Sequence, residues 1–387
     1  MRLLIVHNTL WAHYKSLLFR KIADQLTAAD DLLVLQLALT ESHREGLGIP
    51  DASTVGYPFK LLHNGPLEAM SLSRRIRGLL THGLAFKPDV LLLTGYYDPA
   101  QLLLGVVLKL RGCRVILQSE STALDSPRTG WREQVKRSFV RLCTGFFCFG
   151  TRAADYLIQL GATPEQILVR NNAVVDNAFL REVYDEALPT RPAVKQTLQL
   201  APNNLIYVGR LLAIKNLAAL IDAFAEACRA NPSANWGLIL LGEGDQKAAL
   251  QQQVGTLGLA DRVSFLPGCN WQEVPRFLAL ADVLVLPSQL EPWGLVVNEA
   301  MACGLPVLVS DRCGCVADLV QEGQNGYRFD PDQPQQLSDK IGRFFATSEA
   351  ERVTMGLRSA QLVDAFNPDA VGKAMYNALT HLSQAHK

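Results

Sequence analysis

The sequence lacks the features of membrane-spanning, secreted and polyanion-binding proteins. Its 37 basic and 37 acidic side chains balance to a formal charge of zero, which argues against a general binder of nucleic acid. No run reaches the roughly 18 apolar residues that span a bilayer, and the longest candidate, 102–110, has the length of a core helix. The first residues, M-R-L-L-I-V-H-N, predict a strand and lack the apolar region and cleavage site of a signal peptide.

Cysteine is scattered, and its spacing fits no metal site. Several of the eight cysteines fall inside predicted helices or strands, as reduced and buried cysteines do, so we expect a cytoplasmic protein. Cys313 and Cys315 are too close together for a zinc knuckle and have no second pair. We therefore expect no metal site and no bound cofactor.

The length and the pattern of the chain predict two α/β domains. A chain of 387 residues, 49% apolar and 19% charged, is globular and too long for one core. Strand-like and amphipathic helix-like runs alternate in the first half, which predicts a parallel sheet covered by helices. We place a first domain at 1–184, a proline-containing linker at 185–204, a second domain at 205–367 and a terminal helix at 368–387.

The stretch 291–306, E-P-W-G-L-V-V-N-E-A-M-A-C-G-L-P, is the strongest candidate for an active site. Glu291 and Glu299 are separated by a turn signal and a helix-like run, and the whole stretch lies between two strand-like runs. Amides at the start of such a helix have no intrahelical acceptor and form a site for phosphate. These amides belong to Gly294, Leu295 and Val296. The carboxylates suit sugar hydroxyls, although by spacing alone two solvated glutamates explain the pattern equally well.

A second pattern, G-R-L-L-A-I-K-N at 209–216, follows a strand-like run and precedes a helix-like one. Arg210 and Lys215 flank this turn, so both cations can point at one anion near the start of the helix. Two fixed cations and helix amides can neutralise a diphosphate leaving group without a divalent ion. The alternative is an ordinary surface arginine and lysine.

The two patterns together resemble family 4 of the retaining GT-B glycosyltransferases. E-x7-E followed by A-M-A-x-G-x-P-V looks like the family's signature, and G-R-L-x-x-x-K-N is similar to its diphosphate-binding element. The resemblance spans the second half of the chain. It implies a GT-B fold with two doubly wound, Rossmann-like domains, an interdomain cleft and a terminal helix that crosses back to the first domain.

The resemblance also implies a role for each residue of the nucleotide-sugar site. Arg210 and Lys215 would bind the diphosphate. Glu299 would hold the ribose hydroxyls, Glu291 would contact the hydroxyls of the donor sugar, and Trp293 would shape the wall of the pocket. The backbone would supply the remaining contacts to the nucleotide, from Gly209, Gly242, Leu266, Pro267, Gly268, Gly294, Leu295 and Val296.

The first domain matches the family less closely. Many relatives have a histidine that touches the donor sugar where this chain reads Q-S-E-S, so Glu120 is the candidate for that role; a structural glutamate is equally consistent. The first loop lacks the family's paired glycines, and His13, Tyr14 and Lys15 are candidate acceptor contacts instead. The turn 95–98, G-Y-Y-D, either lines the same cleft or is a plain βα turn.

Basic side chains recur every three to five residues beside apolar ones in a helix-like stretch. They are Arg128, Arg132, Lys136, Arg137 and Arg141. On a helix they form a basic face beside an apolar one. That pattern is typical of attachment to an anionic membrane surface, where a lipid-linked acceptor would be presented. An ordinary surface helix with its apolar side in the core explains it as well, and we favour this second interpretation.

The expected function is that of a retaining, metal-independent hexosyltransferase. It would move a hexose from a UDP-glucose-like donor to a hydroxyl of a glycan or lipid-linked acceptor in surface polysaccharide synthesis, with no nucleic acid partner. A GT-B sugar-nucleotide epimerase is one alternative, but it needs acid–base residues and the second domain contains no histidine. A non-catalytic nucleotide-sugar-binding protein is the other, and it would be expected to have lost one of the four charged site residues, all of which are present.

Overall fold

The computed structural model describes residues 1–10, 13–42, 55–124 and 130–384, apart from the side chain of His13. The described chain divides into two compact units. The first comprises Met1–Val174 and Phe366–Lys387, and the second comprises Val175–Ala365.

The first unit is built on one parallel sheet. Its described strands are β1 (Arg2–Thr9), β2 (Asp31–Ala38), β3 (Phe59–Leu61), β4 (Val90–Leu93), β5 (Arg114–Ser119), β6 (Gly145–Cys148) and β7 (Ile167–Val169). They lie in the order β3-β2-β1-β4-β5-β6-β7, so the chain changes direction across the sheet between β1 and β4. All residues of β4 are buried, as expected for a parallel strand that is covered on both faces.

Helices cover both faces of this sheet. They are α1 (His13–Ala23), α2 (Leu72–Phe86), α3 (Pro99–Leu110), α4 (Trp131–Leu142) and α5 (Thr151–Leu160). Alternate residues of β1 point to opposite faces, so Leu3 and Ile5 pack in the core that contains α1, whereas Leu4 and Val6 pack in the core that contains α2 to α5.

The second unit repeats the architecture with six described strands, all parallel. They are β8 (Asn203–Val208), β9 (Trp236–Leu241), β10 (Val263–Leu266), β11 (Val283–Leu286), β12 (Val307–Ser310) and β13 (Gly326–Phe329). Their order is β10-β9-β8-β11-β12-β13, the doubly wound order of a Rossmann fold, and the change of direction lies between β8 and β11. The helices are α6 (Asn177–Ala187), α7 (Arg191–Thr197), α8 (Leu217–Ala230), α9 (Lys247–Thr256), α10 (Val274–Leu278), α11 (Leu295–Ala302), α12 (Val316–Leu319), α13 (Pro334–Ala346) and α14 (Glu349–Val363).

The predicted linker at 185–204 is wrong, because this stretch is folded within the second unit. It contains the end of α6, all of α7 and the start of β8, and the boundary between the units lies ten residues earlier, after Val174. Two prolines led to the error. Pro189 and Pro192 occupy the first turns of helical segments, where a missing N–H leaves no hydrogen bond unmade.

The last helix, α15 (Pro368–Gln384), belongs to the first unit and packs against α1. Lys21 Nζ lies 2.5 Å from Asp369 Oδ1, and the Tyr376 hydroxyl donates a 2.9 Å hydrogen bond to Asp30. Among the helices described here, α15 included, none has the combination of length and apolar character that crossing a bilayer requires.

Candidate active site

The change of strand order between β8 and β11 positions the candidate site of the second unit. The loops that follow these neighbouring parallel strands, 209–216 and 287–294, start from the same edge of the sheet. In open parallel sheets this edge, at the point where the order reverses, is where ligands bind. Both sequence patterns singled out above therefore meet at one place, although 76 residues separate Lys215 from Glu291.

Two glycines hold the loop after β8 against the loop after β9. Gly209 and Gly242 have φ angles of +149° and +147°, which other residues rarely adopt. A Cβ on Gly242 would lie 2.0 Å from the Gly209 carbonyl oxygen, so only glycine permits the contact. The Tyr207 hydroxyl adds a 2.8 Å hydrogen bond to the Arg210 carbonyl. The backbone that carries Arg210 is thus held both by the loop after β9 and by the Tyr207 side chain.

The two predicted phosphate ligands differ in their surroundings. The Arg210 side chain is exposed and forms no ion pair with any residue that the structure describes. Lys215 ends a 3₁₀ turn just before α8, and its ammonium forms an ion pair with the Glu291 carboxylate. Their side chains are only 16% and 18% exposed. The sequence assigned these two residues to different parts of a ligand, whereas the structure pairs them with each other.

The loop that carries Glu291 is shaped by a turn at Gly294. This residue has a φ of +98° and caps the N-terminus of α11. The Val297 N–H donates to the Gly294 carbonyl, and the preceding amides, at the positive end of the helix, have no acceptor within α11. The loop is also pinned to the segment after β12, because Gly314 N–H donates a 2.9 Å hydrogen bond to the Glu291 carbonyl.

Trp293 does not form a pocket wall with its side chain, which corrects the predicted role. The indole is 3% exposed, and its Nε1–H donates a 2.8 Å hydrogen bond to Oδ1 of Asn298 in α11. A buried indole generally needs such a partner. Trp293 therefore supports the glutamate loop from within the unit and connects it to α11.

Glu299 is partly buried in α11, and its side chain forms no hydrogen bond or ion pair with the described residues. Burial raises its pKa to about 7, since a carboxylate loses hydration there without gaining a partner. Glu299 lies four residues after Leu295, on the same helix face. A carboxylate with unused acceptor capacity, one turn inside a helix N-terminus, is suited to a pair of hydroxyls.

The predicted base-facing residues lie at the same sheet edge. Leu266 ends β10, and its carbonyl accepts a 3.0 Å hydrogen bond from Gly242 N–H. A Cβ on Gly268 would be 3.8 Å from the Gly242 Cα. The loop 266–268, which includes Pro267, is therefore beside the β9 loop, on the side of β8 opposite to Glu291.

The first unit has a polar pocket of about 100 Å³ at the corresponding edge of its own sheet. It is lined by Asn8, Thr94, Gly95, Tyr96, Tyr97, Asp98, Gln101, Gln118, Ser119, Glu120 and Ser121. Gln118 is 1% exposed, and neither atom of its amide has a hydrogen-bond partner; the Oε1 of Gln101 is also unpaired. Buried polar groups of this kind are normally satisfied by water or a ligand.

The sequence identified Glu120 and the turn 95–98 in this pocket but missed the two glutamines. The signal available for Gln118 was a polar residue at the end of an apolar strand.

Lys15, proposed as an acceptor contact, is 2% exposed, and its Nζ lies 4.3 Å from the centroid of the Phe149 ring. Burial lowers its pKa to about 8, and the charge of Glu120 opposes the shift. Lys15 is therefore not displayed for contact, and Tyr14 packs edge-on against the same Phe149 ring.

Among the described residues, no group of three His, Cys, Asp or Glu side chains is placed to hold a metal ion. Arg128 and the side chain of His13, both named by the sequence analysis, lie outside the described residues.

Comparison with known proteins shows what the second unit and the whole fold resemble. Residues 192–356 match the family model described as "Glycosyl transferases group 1". The structure superimposes on Anabaena HepE, solved in complex with UDP and glucose, with a TM-score of 0.73 over 98% of this chain and 100% of that one, at 20% identity. The chain therefore has the GT-B fold, and the region that resembles the glycosyltransferase group 1 model lies within its second unit.

Curated relatives match part of the chain. The chain is 26% identical over 263 residues to alpha-D-kanosaminyltransferase of Streptomyces kanamyceticus, which covers 64% of this chain and 63% of that protein. It is 32% identical over 176 residues to D-inositol 3-phosphate glycosyltransferase of Nocardia farcinica; this alignment covers 44% of this chain and 39% of that protein. Both alignments leave more than a third of the relative's length uncovered.

Proposed function

We propose that the chain is a retaining, metal-independent glycosyltransferase that moves a hexose from a nucleoside-diphosphate sugar to a hydroxyl acceptor. One observation carries the proposal. The carboxyl edge of the second sheet gathers two cations, two carboxylates and a helix N-terminus around the β8–β11 reversal. This combination complements a diphosphate flanked by two sets of hydroxyls, namely those of a ribose and those of a sugar.

The leaving diphosphate is the part of the donor that these residues serve best. Arg210 is exposed and unpaired among the described residues, so its guanidinium is available to a phosphate without breaking an existing ion pair. Lys215 has three N–H donors, so it can bind a phosphate oxygen while Glu291 keeps one of them. The amides at the start of α11 complete the set of donors. Fixed positive groups of this kind stabilise the negative charge that grows on the leaving group.

The proposed reaction retains the configuration of the donor sugar. The acceptor hydroxyl attacks the anomeric carbon on the face that the diphosphate vacates, the bond from that carbon to the diphosphate oxygen breaks, and the hydroxyl proton moves to a phosphate oxygen. Glu291 would contact hydroxyls of the donor sugar, and Glu299 those of the ribose. Glu291 is not proposed as a nucleophile, because its charge is already engaged by Lys215.

The polar pocket of the first unit supports a sugar-like group as its ligand. Its lining combines amides, hydroxyls and the carboxylates of Asp98 and Glu120, which can donate to and accept from a ring of hydroxyl groups. The unpaired amide of Gln118 and the unpaired Oε1 of Gln101 are available to such a ligand. We assign this pocket to a hydroxyl-bearing sugar, either of the donor or of a glycan or lipid-linked acceptor in surface polysaccharide synthesis.

UDP-glucose is our proposed donor type, and its support is the fold neighbour that was solved with UDP and glucose. Release of the nucleoside diphosphate tests both the activity and the donor. The protein is incubated with UDP-, GDP- and ADP-sugars, with a chelator present throughout and a panel of glycan acceptors. We expect UDP release from one sugar, undiminished by the chelator, and a product with the anomeric configuration of the donor.

Each outcome discriminates between the alternatives. An inverted product would contradict retention, and loss of activity with the chelator would contradict metal independence. A change in the sugar nucleotide without release of diphosphate would identify an epimerase. Binding of the free diphosphate in a titration, combined with no turnover on any donor and acceptor pair, would favour a non-catalytic binding protein.

A further inference from the structure

Helices α3 and α4 pack side by side on one face of the first unit's sheet. Their inward side chains, among them Leu104 and Phe139, belong to the same core. A Cβ on Gly105 would lie 2.9 Å from the Phe139 ring, so the glycine lets the two helices approach closely. Their opposite faces form one outward surface, which we call the α3–α4 surface: Leu103, Val106, Leu110, Trp131, Arg132, Val135 and Arg141.

The outward face of α3 is apolar, unlike that of an ordinary surface helix. Leu103, Val106 and Leu110 recur at three- and four-residue spacing and are 39%, 37% and 83% exposed. The helix contains no acidic residue, and its first basic one is Lys109. A helix on a protein surface normally turns polar residues to the solvent, and contiguous exposed apolar residues indicate an interaction site.

Helix α4 extends the apolar strip and adds positive charge to it. Trp131 is 72% exposed and Val135 is 43% exposed, and the Arg132 guanidinium lies 5.6 Å from the centroid of the Trp131 ring. Arg132 and Arg141 are exposed and form no ion pair with the described residues.

The one acidic residue of the two helices does not offset this charge at the surface. Glu133 is 4% exposed; it accepts a hydrogen bond from the Tyr156 hydroxyl and pairs with Arg137. The surface therefore combines bulky apolar side chains with uncompensated cations.

We propose that the α3–α4 surface docks the protein onto an anionic lipid bilayer. Trp131 and Leu110 would enter the boundary between headgroups and acyl chains, where an indole has both an apolar and a polar environment. Arg132 and Arg141 would meet the phosphates of the headgroups. A second copy of the chain fits the surface less well, because a two-fold contact places the same patch on both sides and so brings like charges together.

The position of the surface connects it with the polar pocket. Asp98 caps the N-terminus of α3 and also lines that pocket, and α4 starts with Trp131 at the same edge of the sheet. Docking would therefore bring the pocket next to the lipid headgroups. Under the proposed function this arrangement favours a lipid-linked acceptor, but docking itself does not depend on the reaction and is tested without it.

Co-sedimentation with vesicles measures the docking directly. The full chain is mixed with vesicles of phosphatidylcholine alone, or of phosphatidylcholine and phosphatidylglycerol in equal parts. We compare R132E/R141E and L110Q/W131Q with matched controls on exposed sites of the second unit, R229E/R276E and V353Q/L357Q. All of these positions are exposed, so the variants should fold, and circular dichroism verifies this.

We expect the wild type and both controls to sediment with the anionic vesicles and to remain in solution with the neutral ones. R132E/R141E should lower the partition coefficient at least about 25-fold, since each cation near such a surface strengthens binding about fivefold. L110Q/W131Q should lower it about tenfold or more, because the apolar anchors are lost.

Three results would overturn the proposal: no sedimentation of the wild type with anionic vesicles, equal sedimentation with neutral ones, or undiminished binding by either surface variant. A fourth would reassign the surface to a second copy of the chain. In that result, sedimentation equilibrium without lipid would show that the wild type self-associates and that L110Q/W131Q does not.

Discussion

The ion pair between Lys215 and Glu291 leads to a prediction: a second substitution should restore the stability that is lost when Lys215 is replaced, but it should not restore turnover. Replacing Lys215 by Met leaves the Glu291 carboxylate without its cation in a site where the two side chains are 16% and 18% exposed. Breaking a fully buried pair costs 3 to 5 kcal/mol and breaking an exposed one 0 to 1 kcal/mol, so we expect a loss of about 2 kcal/mol in the free energy of unfolding. Adding Glu291→Gln removes the stranded charge and should restore most of that loss.

Turnover should not recover in the double variant. If Lys215 neutralises the leaving diphosphate, its removal costs about 3 kcal/mol of transition-state stabilisation, or roughly a hundredfold in kcat/KM, whether residue 291 is Glu or Gln. The assay is a double-mutant cycle of Lys215→Met and Glu291→Gln. Unfolding is followed in urea, and diphosphate release is measured with whichever donor the sugar-nucleotide panel selects.

The cycle has an internal control in the same unit. Lys247 lies 2.9 Å from Glu243, but their side chains are 32% and 56% exposed, so Lys247→Met and Glu243→Gln should couple by less than about 0.5 kcal/mol. A Lys215–Glu291 coupling as small as this would refute the argument that burial strengthens the pair. Near-normal turnover of Lys215→Met would refute its assignment to the diphosphate.

Four further substitutions test the rest of the site. Arg210→Ala should lower kcat/KM about a hundredfold while leaving the urea midpoint unchanged, since the side chain is exposed. In Glu299→Gln, calorimetry should show weaker binding of the nucleoside diphosphate. Between pH 8 and pH 6 the wild-type affinity should fall more steeply than that of the variant, because burial raises the pKa of Glu299 to about 7 and its protonation removes an acceptor, whereas titration of the diphosphate itself affects both proteins alike. Gly242→Ala should abolish binding of the diphosphate, since its Cβ would lie 2.0 Å from a backbone oxygen. Trp293→Phe should lower thermal stability by about 1 kcal/mol through loss of the bond to Asn298, with binding measurable at low temperature.

The sequence predicted the parts of the fold that depend on neighbouring residues. Helix α11 begins at the predicted Leu295, because a glycine with positive φ and a preceding proline mark a turn in any context. The parallel sheets followed from fully apolar strands that alternate with amphipathic helices. The candidate donor site was predictable for the same reason, since the loops after parallel strands share an edge whichever residues they contain.

Features that depend on distant contacts were not predicted. Lys215 and Glu291 were assigned separate tasks, because no local signal says that their side chains meet. The run 102–110 was interpreted as a core helix from its composition, yet Leu103, Val106 and Leu110 point outward. Helical periodicity cannot separate the two faces when both are apolar.

The charged groups of the candidate site in the second unit differ in how they are satisfied, and this difference suggests an order in which they would meet the proposed diphosphate. Lys215 is paired with Glu291, and burial raises the pKa of Glu299 to about 7. Arg210 alone among these four groups is exposed. Since an exposed cation without a partner attracts an anion at no cost in broken contacts, we infer that Arg210 meets the diphosphate first. Under the proposed function, Lys215 and the α11 amides would then engage it, and the ribose hydroxyls would stabilise Glu299 as a carboxylate.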